Sequence, residues 1–216
     1  MSITRRDILG VAAGLGLAGA TGAALWLGRG APAGDGAERA GIGAKEVLHD
    51  PDNPVLGNPE GSLTIVEYFD YQCPFCKRDH AILTDLVAQD GDIRLVMKDW
   101  PIFGAPSVLA SQLVLGAASM GSYAQAHTAL MATEARLSED QIRQVLTDAG
   151  IDTGAALAAY RADRDKWDGL LTRNAAQAAA LNLQGTPAFI IGPAIHPGAL
   201  GEAGLRQAIT HARQAA

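Results

Sequence analysis

The stretch LTIVEYFDYQCPFC, from Leu63 to Cys76, decides the fold of this 216-residue chain. Its first seven residues are mostly apolar, β-branched or aromatic, a composition that predicts a buried strand ending at Phe69. Pro74 suits the first position of a helix, where a backbone N–H is not needed. Apolar residues then keep helical spacing as far as Asp90, which precedes a glycine. The sequence therefore predicts a strand, a short turn and a helix.

Cys73 and Cys76, the only cysteines of the chain, stand at the start of this helix. Unpaired N–H groups and the helix dipole at a helix N-terminus favour a thiolate over a thiol. We therefore expect Cys73 to be ionised, accessible and the attacking sulfur, since the thiolate is the reactive species in disulfide exchange. Cys76 lies one turn inside the helix and is expected to be more buried, as suits a resolving thiol. Pro74 and Phe75, between the cysteines, support the site but supply no charge.

Three other uses of a Cys-x-x-Cys pair compete with reversible disulfide chemistry. Covalent haem attachment needs a histidine directly after the second cysteine, and Lys77 stands there. A closed zinc site needs four ligands; Cys73, Cys76 and His80 offer three, and no second ligand pair is visible. A static disulfide that closes so short a loop would restrict the unfolded chain little. Redox chemistry is favoured, and a non-enzymatic metal carrier stays open as the alternative.

Residues 1–33 have the features of an export signal. A twin-arginine pair, Arg5 and Arg6, precedes an apolar stretch rich in Gly and Ala, and the segment 31–33 offers a small-x-small cleavage site. An uncleaved membrane anchor is the alternative, because about 20 apolar residues can span a bilayer. Either outcome places the rest of the chain outside the cytoplasm, where disulfides persist. The predicted location is therefore periplasmic or otherwise extracytoplasmic.

The charge of the chain limits its partners. The formal net charge is −6, and it is more negative without residues 1–33. This argues against nucleic acid as a partner, because binding to phosphates depends on basic side chains. Without residues 1–33, the chain is still long enough for one domain with a full hydrophobic core.

The regions around the cysteine helix have distinct patterns. Residues 34–59, rich in Gly, Pro, Asp and Asn, indicate a linker or N-terminal arm, with a short turn or strand at 45–48. A second strand is predicted at 93–98, and two more near 188–191 and 194–196. Helices are predicted at 107–120, 123–132, 138–149, 153–161, 167–181 and 201–214.

Three segments together resemble the DsbA-like thiol–disulfide oxidoreductases of the thioredoxin superfamily. They are EYFDYQCPFCKR at 67–78, KDWPI at 98–102 and GTPAF at 185–189, in the family's order. The resemblance implies an α/β, thioredoxin-like fold for residues 60–216, with a helical subdomain inserted at about 104–172. A Cys-x-x-Cys pair alone is moderate evidence. A strand before it and a Gly-Thr-Pro-Ala-Phe loop about 110 residues later make the pattern specific.

The resemblance also implies residues that support the cysteines. It places Thr186 and Pro187 opposite them, joined by a cis peptide bond, so that the Thr186 backbone pairs with an extended substrate peptide. The family has an acidic residue beneath the cysteines, which suggests that Glu67 transfers a proton to or from Cys76. Lys98, on the neighbouring strand, is expected to partner Glu67. The alternatives are that Pro187 is an ordinary turn proline and that Glu67 and Lys98 both point to solvent.

The five histidines are not expected to be catalytic. Four fall in predicted loops or on helical surfaces: His49, His127, His196 and His211. The fifth, His80, is predicted on the cysteine helix. A solvated or packing role is expected for each.

The sequence therefore predicts an exported enzyme that exchanges disulfides with exported proteins through Cys73 and Cys76, with no cofactor beyond that redox-active pair. In the oxidising direction, the resemblance implies that a membrane enzyme of the DsbB kind restores the disulfide. In the reducing or isomerising direction, a DsbD-like reductase restores the dithiol. The resemblance also weakens the oxidant case, because Phe75 is neutral where the family's strongest oxidants have a histidine, and Thr186 before the proline is common among its isomerase-type members. The short arm favours a monomer over a dimeric isomerase, and the oxidising direction is preferred.

Overall fold

Six strands form one mixed sheet in the computed structural model, which describes residues 31–32 and 43–215. The strands are β1 (Ala31–Pro32), β2 (Val55–Gly57), β3 (Leu63–Phe69), β4 (Ile93–Asp99), β5 (Ala188–Ile191) and β6 (Ala194–Pro197). The helices of the described part of the chain are α1 (Ala44–His49), α2 (Pro74–Asp90), α3 (Ala105–Ser119), α4 (Tyr123–Met131), α5 (Glu139–Asp148), α6 (Thr153–Ala162), α7 (Arg164–Ala180) and α8 (Gly201–Ala215).

The strand at the centre of the sheet is β3, the one that precedes the cysteines. It runs parallel to β4, to which α2 connects it, and antiparallel to β5 on its other side. The strand order is β1-β6-β5-β3-β4-β2. Every residue of β3 except Thr64 is buried, because helices cover both faces of the sheet. This strand–helix–strand unit, completed by the β5–β6 hairpin and α8, confirms the predicted thioredoxin-like fold.

Alternate residues of β3 belong to different hydrophobic cores. Ile65 and Phe69 lie in the larger core, which includes residues of α2, α8 and the helical insertion. Val66 and Tyr68 lie in the smaller core, with residues of α1 and α7. Because side chains alternate along a strand, Glu67 points to the same side as Ile65 and Phe69. That side is the one covered by the helix that carries the cysteines.

The helical insertion lies between β4 and β5, as predicted. Its helices α3 and α6 are in very close contact: a Cβ atom on Gly116 would lie 1.9 Å from the carbonyl oxygen of Ala156. Only glycine therefore permits this approach. Leu113 of α3 and Leu130 of α4 belong to the larger core, so the insertion packs continuously against the region beneath α2.

Two expectations for residues 34–59 are wrong. Residues 45–48 lie in helix α1, not in a turn or strand, and residues 55–57 form an edge strand that pairs antiparallel with β4. Elements of six and three residues carry too little periodicity to be identified from sequence. The predicted export signal lies outside the described residues except for Ala31–Pro32, which pairs with β6. Among the described residues, no helix has the length and apolar character needed to cross a bilayer.

Candidate active site

Cys73 caps the N-terminus of α2, as the sequence predicted. Its backbone is extended, with φ −87° and ψ 112°, and Pro74 takes the first helical position. The Sγ atom of Cys73 accepts a hydrogen bond from the backbone N–H of Cys76 at 3.4 Å. Asp70 tightens the turn after β3, because its Oδ1 accepts a backbone N–H two residues further on. Both cysteines are free thiols.

The two thiols have opposite electrostatic environments. The hydrogen bond with Cys76, helped by N–H groups at the helix end, lowers the pKa of Cys73 to about 6. Burial raises the pKa of Cys76 well above its ordinary value, with further contributions from Cys73 and from the charge of Glu67. At neutral pH the reduced pair therefore holds a thiolate at position 73 and a thiol at position 76.

The loop before β5 lies against Cys73, although 113 residues separate the two in sequence. The Thr186–Pro187 peptide bond is cis, as the resemblance implied. The Sγ atom of Cys73 lies 3.3 Å from the carbonyl oxygen of Thr186, to which it donates a hydrogen bond when the thiol is protonated. Pairing of Ala188 with Tyr68 fixes this loop beside the end of β3. The hydroxyl of Thr186 is buried and has no hydrogen-bond partner within residues 43–215.

The expectation of an accessible sulfur is wrong for this conformation. Cys73 is only 2% exposed, because its side chain turns inward beneath the Thr186 carbonyl. The neighbouring ring of Phe75 is 56% exposed. Two further exposed apolar side chains, Ile102 and Phe103, are positioned by Asp70, whose Oδ2 accepts their backbone N–H groups at 2.7 and 3.2 Å. The surface near the covered sulfur therefore includes three exposed apolar side chains.

Glu67 and Lys98 do not pair, which corrects the expectation from sequence. In the parallel register of β3 and β4, Tyr68 aligns with Lys98, so Glu67 and Lys98 point to opposite faces of the sheet. Glu67 is fully buried, and its Oε2 lies 2.8 Å from Nδ1 of His80. Lys98, also fully buried, donates to Oε1 of Gln177 at 2.8 Å. Burial lowers the pKa of Lys98 to about 8.

His80 and His127 are the residues near the site that the sequence analysis missed. His127 is fully buried in α4 and not on a helical surface, and His80 is buried beside Glu67. The two rings are in edge-to-face contact, with centroids 4.6 Å apart. The signal available in the sequence was helical spacing. His127 lies between buried Ala126 and Leu130, on the apolar side of its helix.

Lys77 joins the active-site helix to the insertion. Its Nζ donates to Thr133 Oγ1 at 2.7 Å and to the carbonyl oxygen of Ala135 at 2.5 Å. Burial lowers the pKa of Lys77, whereas the negative charges of Asp70 and the cysteines oppose that shift. Since this interaction is mutual, the ammonium group of Lys77 favours a thiolate at the cysteine pair.

Both the sequence and the fold of this chain are similar to those of known proteins. A family profile described as a DSBA-like thioredoxin domain matches residues 64–210. A thioredoxin-like oxidoreductase from Silicibacter pomeroyi DSS-3 superposes with a TM-score of 0.76 at 35% identity, covering 81% of this chain and 100% of that chain. A periplasmic thioredoxin-like protein from Salmonella enterica serovar Typhimurium superposes with a TM-score of 0.68 at 27% identity, covering 78% of this chain and 94% of that one.

The curated relatives are longer proteins. The Na(+)/H(+) antiporter NhaA 1 of Mycobacterium sp. (strain KMS) is 27% identical over 162 residues, which are 74% of this chain and 26% of the antiporter. The chain thus spans about a quarter of the length of the curated relatives that it matches.

Proposed function

This chain belongs to the family of DSBA-like thioredoxin domains, which are thiol–disulfide oxidoreductases, and on that premise we propose that it oxidises cysteine pairs in exported proteins. The observation that supports this proposal is the difference between the two thiols: the pKa of Cys73 is lowered to about 6 and that of Cys76 is raised. A stabilised thiolate favours the reduced pair and so makes the disulfide a better oxidant. Comparable cysteines have pKa values of about 3.5 in DsbA and about 7 in thioredoxin. We therefore propose an oxidant of intermediate strength.

The proposed reaction has two exchange steps. A substrate thiolate attacks Cys73 in the Cys73–Cys76 disulfide, a bond forms between the substrate sulfur and Cys73, and Cys76 leaves as a thiolate that takes up a proton. A second substrate thiolate then attacks the substrate sulfur of this mixed disulfide. Cys73 leaves as a stabilised thiolate, and the substrate has gained a disulfide. Two electrons have passed from the substrate to the cysteine pair.

Glu67 is the proposed source of the proton for Cys76. It is fully buried on the side of the sheet that α2 covers, and its charge contributes to the raised pKa of Cys76. Cys76 is itself fully buried, so solvent does not reach its sulfur directly. A carboxyl group in a dry site is able to hold a proton for a neighbouring thiol.

Thr186 and Pro187 are the proposed peptide-binding residues. The carbonyl oxygen of Thr186 lies beside Cys73, where an extended substrate can pair with the backbone by strand addition. The exposed side chains of Phe75, Ile102 and Phe103 provide apolar contact for a substrate that presents a cysteine in an unfolded segment. Such a segment can displace the loop from the covered sulfur.

The proposed location is outside the cytoplasm. The twin-arginine pattern in residues 1–33 supports export, and the similar Salmonella protein is periplasmic. In that compartment a membrane enzyme of the DsbB kind would accept the electrons of the reduced pair and restore the disulfide. We propose that the protein acts as a monomer on exported proteins and uses no cofactor besides its cysteines.

The same cysteines would also serve a reductase or isomerase, and one observation favours this second function. Phe75 carries no charge, and the Arg78 guanidinium lies 5.3 Å from the centroid of its ring. The thiolate of Cys73 therefore lacks a cation between the cysteines. In this direction Cys73 attacks a substrate disulfide, and a DsbD-like partner restores the dithiol.

Equilibration of the purified protein in glutathione buffers tests the direction. We expect a reduction potential between that of thioredoxin, about −270 mV, and that of DsbA, about −120 mV. A potential at or below the thioredoxin value would instead support the reductase. The Cys76→Ser variant should accumulate mixed disulfides with unfolded proteins that contain a disulfide, because Cys73 attacks that bond and no resolving thiol remains to release the substrate. Cys73→Ser, its matched control, should form none, and mixed disulfides through Cys76 would contradict the assignment of Cys73.

A further inference from the structure

A chain of hydrogen bonds leads from Glu67 away from the cysteines and into the helical insertion. Glu67 Oε2 lies 2.8 Å from His80 Nδ1, and His80 Nε2 lies 3.1 Å from His127 Nε2. His127 Nδ1 lies 2.8 Å from the hydroxyl of Tyr71. All four side chains are buried, and they come from β3, α2, α4 and the turn after β3. The chain thus joins the site to the insertion without passing through solvent.

With Glu67 a carboxylate and both histidine rings neutral, one set of tautomers gives every hydrogen bond of the chain a donor and an acceptor. Burial holds the pKa of Tyr71 well above its ordinary value, so its hydroxyl stays protonated and donates to His127 Nδ1. Burial holds the pKa of His127 well below its ordinary value, so that ring is neutral. Its single N–H is then on Nε2 and donates to His80 Nε2. His80 in turn carries its proton on Nδ1 and donates to Glu67.

Other titratable groups that face the chain support this set of tautomers. The hydroxyl of Tyr123 lies 3.3 Å from His127 Nδ1, and its ring stacks on that of His127. Burial raises the pKa of Tyr123, and the nearby carboxyl groups of Asp99 and Glu67 add to the effect. The Asp99 carboxyl is itself buried at the end of β4, where burial raises its pKa to about 7. Both phenols therefore remain donors toward His127.

The two oxygens of Glu67 have different surroundings. Oε2 receives the hydrogen bond of His80, whereas Oε1 is buried and has no partner within residues 43–215. A buried carboxylate oxygen without a hydrogen-bond donor lowers the stability of the fold, and such atoms are rare. Its presence here therefore suggests a functional role. Cys76 senses the charge of Glu67 and has an exchangeable proton, and it lies one helical turn before His80, the residue that contacts Glu67, on the same face of α2.

We propose that Tyr71, His127 and His80 are positioning residues that hold Glu67 with Oε2 occupied and Oε1 free to exchange a proton with Cys76. This inference rests on the proposed function and deepens it. In the reduced pair the proton is on Cys76. When Cys76 attacks Cys73 in a mixed disulfide, the proton moves to Oε1, the S–S bond forms between the two cysteines, and the substrate leaves as a thiolate. When the disulfide is opened again, Glu67 returns the proton to Cys76.

Stopped-flow reaction of the reduced protein with 5,5′-dithiobis(2-nitrobenzoate) separates the two sulfurs. The attack of Cys73 releases one thionitrobenzoate, and the attack of Cys76 on the resulting mixed disulfide releases the second. His127→Phe keeps an aromatic ring against Phe69 and Tyr123 but removes both nitrogens. We expect its second phase to slow about tenfold near pH 6 and its pH profile to move up by about one unit. The first phase should be unchanged.

Matched variants separate positioning from stability. His127→Gln keeps an N–H near the place of Nε2 and should restore most of the second phase. Tyr68→Phe removes a buried hydroxyl that bonds Gln177 on the other face of the sheet, so both phases should match wild type. If His127→Phe does not fold, the double variant Tyr71→Phe/Tyr123→Phe removes both donors to Nδ1 and should give the same upward shift.

Each remaining outcome counts against a defined part of the proposal. A second phase that keeps the wild-type pH profile in His127→Phe, or equal slowing in His127→Phe and His127→Gln, overturns the positioning role. Equal slowing of both phases would also overturn it, since Cys73 does not depend on the chain. A wild-type protein that never releases the second thionitrobenzoate contradicts the proposed function itself.

Discussion

The carbonyl oxygen of Thr186 lies 3.3 Å from the sulfur of Cys73, so the sulfur with the lowered pKa is covered by a loop from the other end of the chain. Ionisation and access are therefore separate properties of this site. The N-terminus of α2 provides the first, and displacement of the loop before β5 has to provide the second. The two can be measured apart from each other.

Alkylation of the reduced protein should report the ionisation of Cys73. The rate with iodoacetamide should rise as pH increases through about 6 and then level off, because the sulfur loses its proton there and Cys76 keeps its own. The rate with a bulky maleimide should level off at the same pH but should be slowed by burial more than the rate with iodoacetamide, because Cys73 is only 2% exposed. A rate that still climbs near pH 8.5, about the pKa of a free cysteine, would contradict this prediction.

Lys98→Met should change how stability depends on pH. The lysine has a pKa of about 8 in the folded protein and 10.5 as its reference value. Between those values the unfolded state binds more protons, so stability rises with pH, by at most about 3 kcal/mol. In urea unfolding, the variant should show no such rise in stability between pH 7.5 and pH 9.5. At pH 7.5 it should be at least as stable as the wild-type protein. Lys45→Met, at an exposed lysine, should keep the rise.

Gly116→Ala should destabilise the helical insertion. The new methyl group would lie 1.9 Å from the carbonyl oxygen of Ala156, so α3 and α6 must separate. We expect the free energy of unfolding to fall by about 3 kcal/mol. Gly169→Ala is the matched control within α7, where the nearest atom, 3.2 Å away, is the end of the flexible Arg173 side chain. It should be neutral or stabilising by up to about 1 kcal/mol, and an equal loss in both variants would refute the explanation.

Asp70→Asn should loosen the apolar rim of the site. The carboxylate accepts hydrogen bonds from the backbone N–H groups of Ile102 and Phe103 and from the Ser107 hydroxyl. An amide group replaces one accepting oxygen with a donor, which should cost about 2 kcal/mol of stability. Amide hydrogen exchange at 102 and 103 should accelerate. The exposed Asp85→Asn should change stability by less than about 0.5 kcal/mol, and unchanged exchange in Asp70→Asn would show that Asp70 does not hold this loop.

Most elements of the fold were predictable because their signals are local. The strand of residues 63–69, the helix after it and the helices of the insertion each have a period that a single segment displays. The helix at 44–49 and the edge strand at 55–57 were missed because each is too short for a periodic pattern to be recognised. The cis bond before Pro187 followed only from family resemblance, since an isolated Thr-Pro pair is compatible with an ordinary turn.

The amino-acid sequence by itself determined that a cysteine pair stands at the start of a helix behind a buried strand, with a Thr-Pro loop later in the chain. Only the tertiary structure decided which side chains meet. Glu67 contacts His80 and not Lys98, and His127 reaches that pair from the insertion. The physical reason is that side chains alternate between the two faces of a sheet, so a shift of one residue in strand register reverses every contact. Register and the packing of distant helices are set by the whole core, and no local segment encodes them.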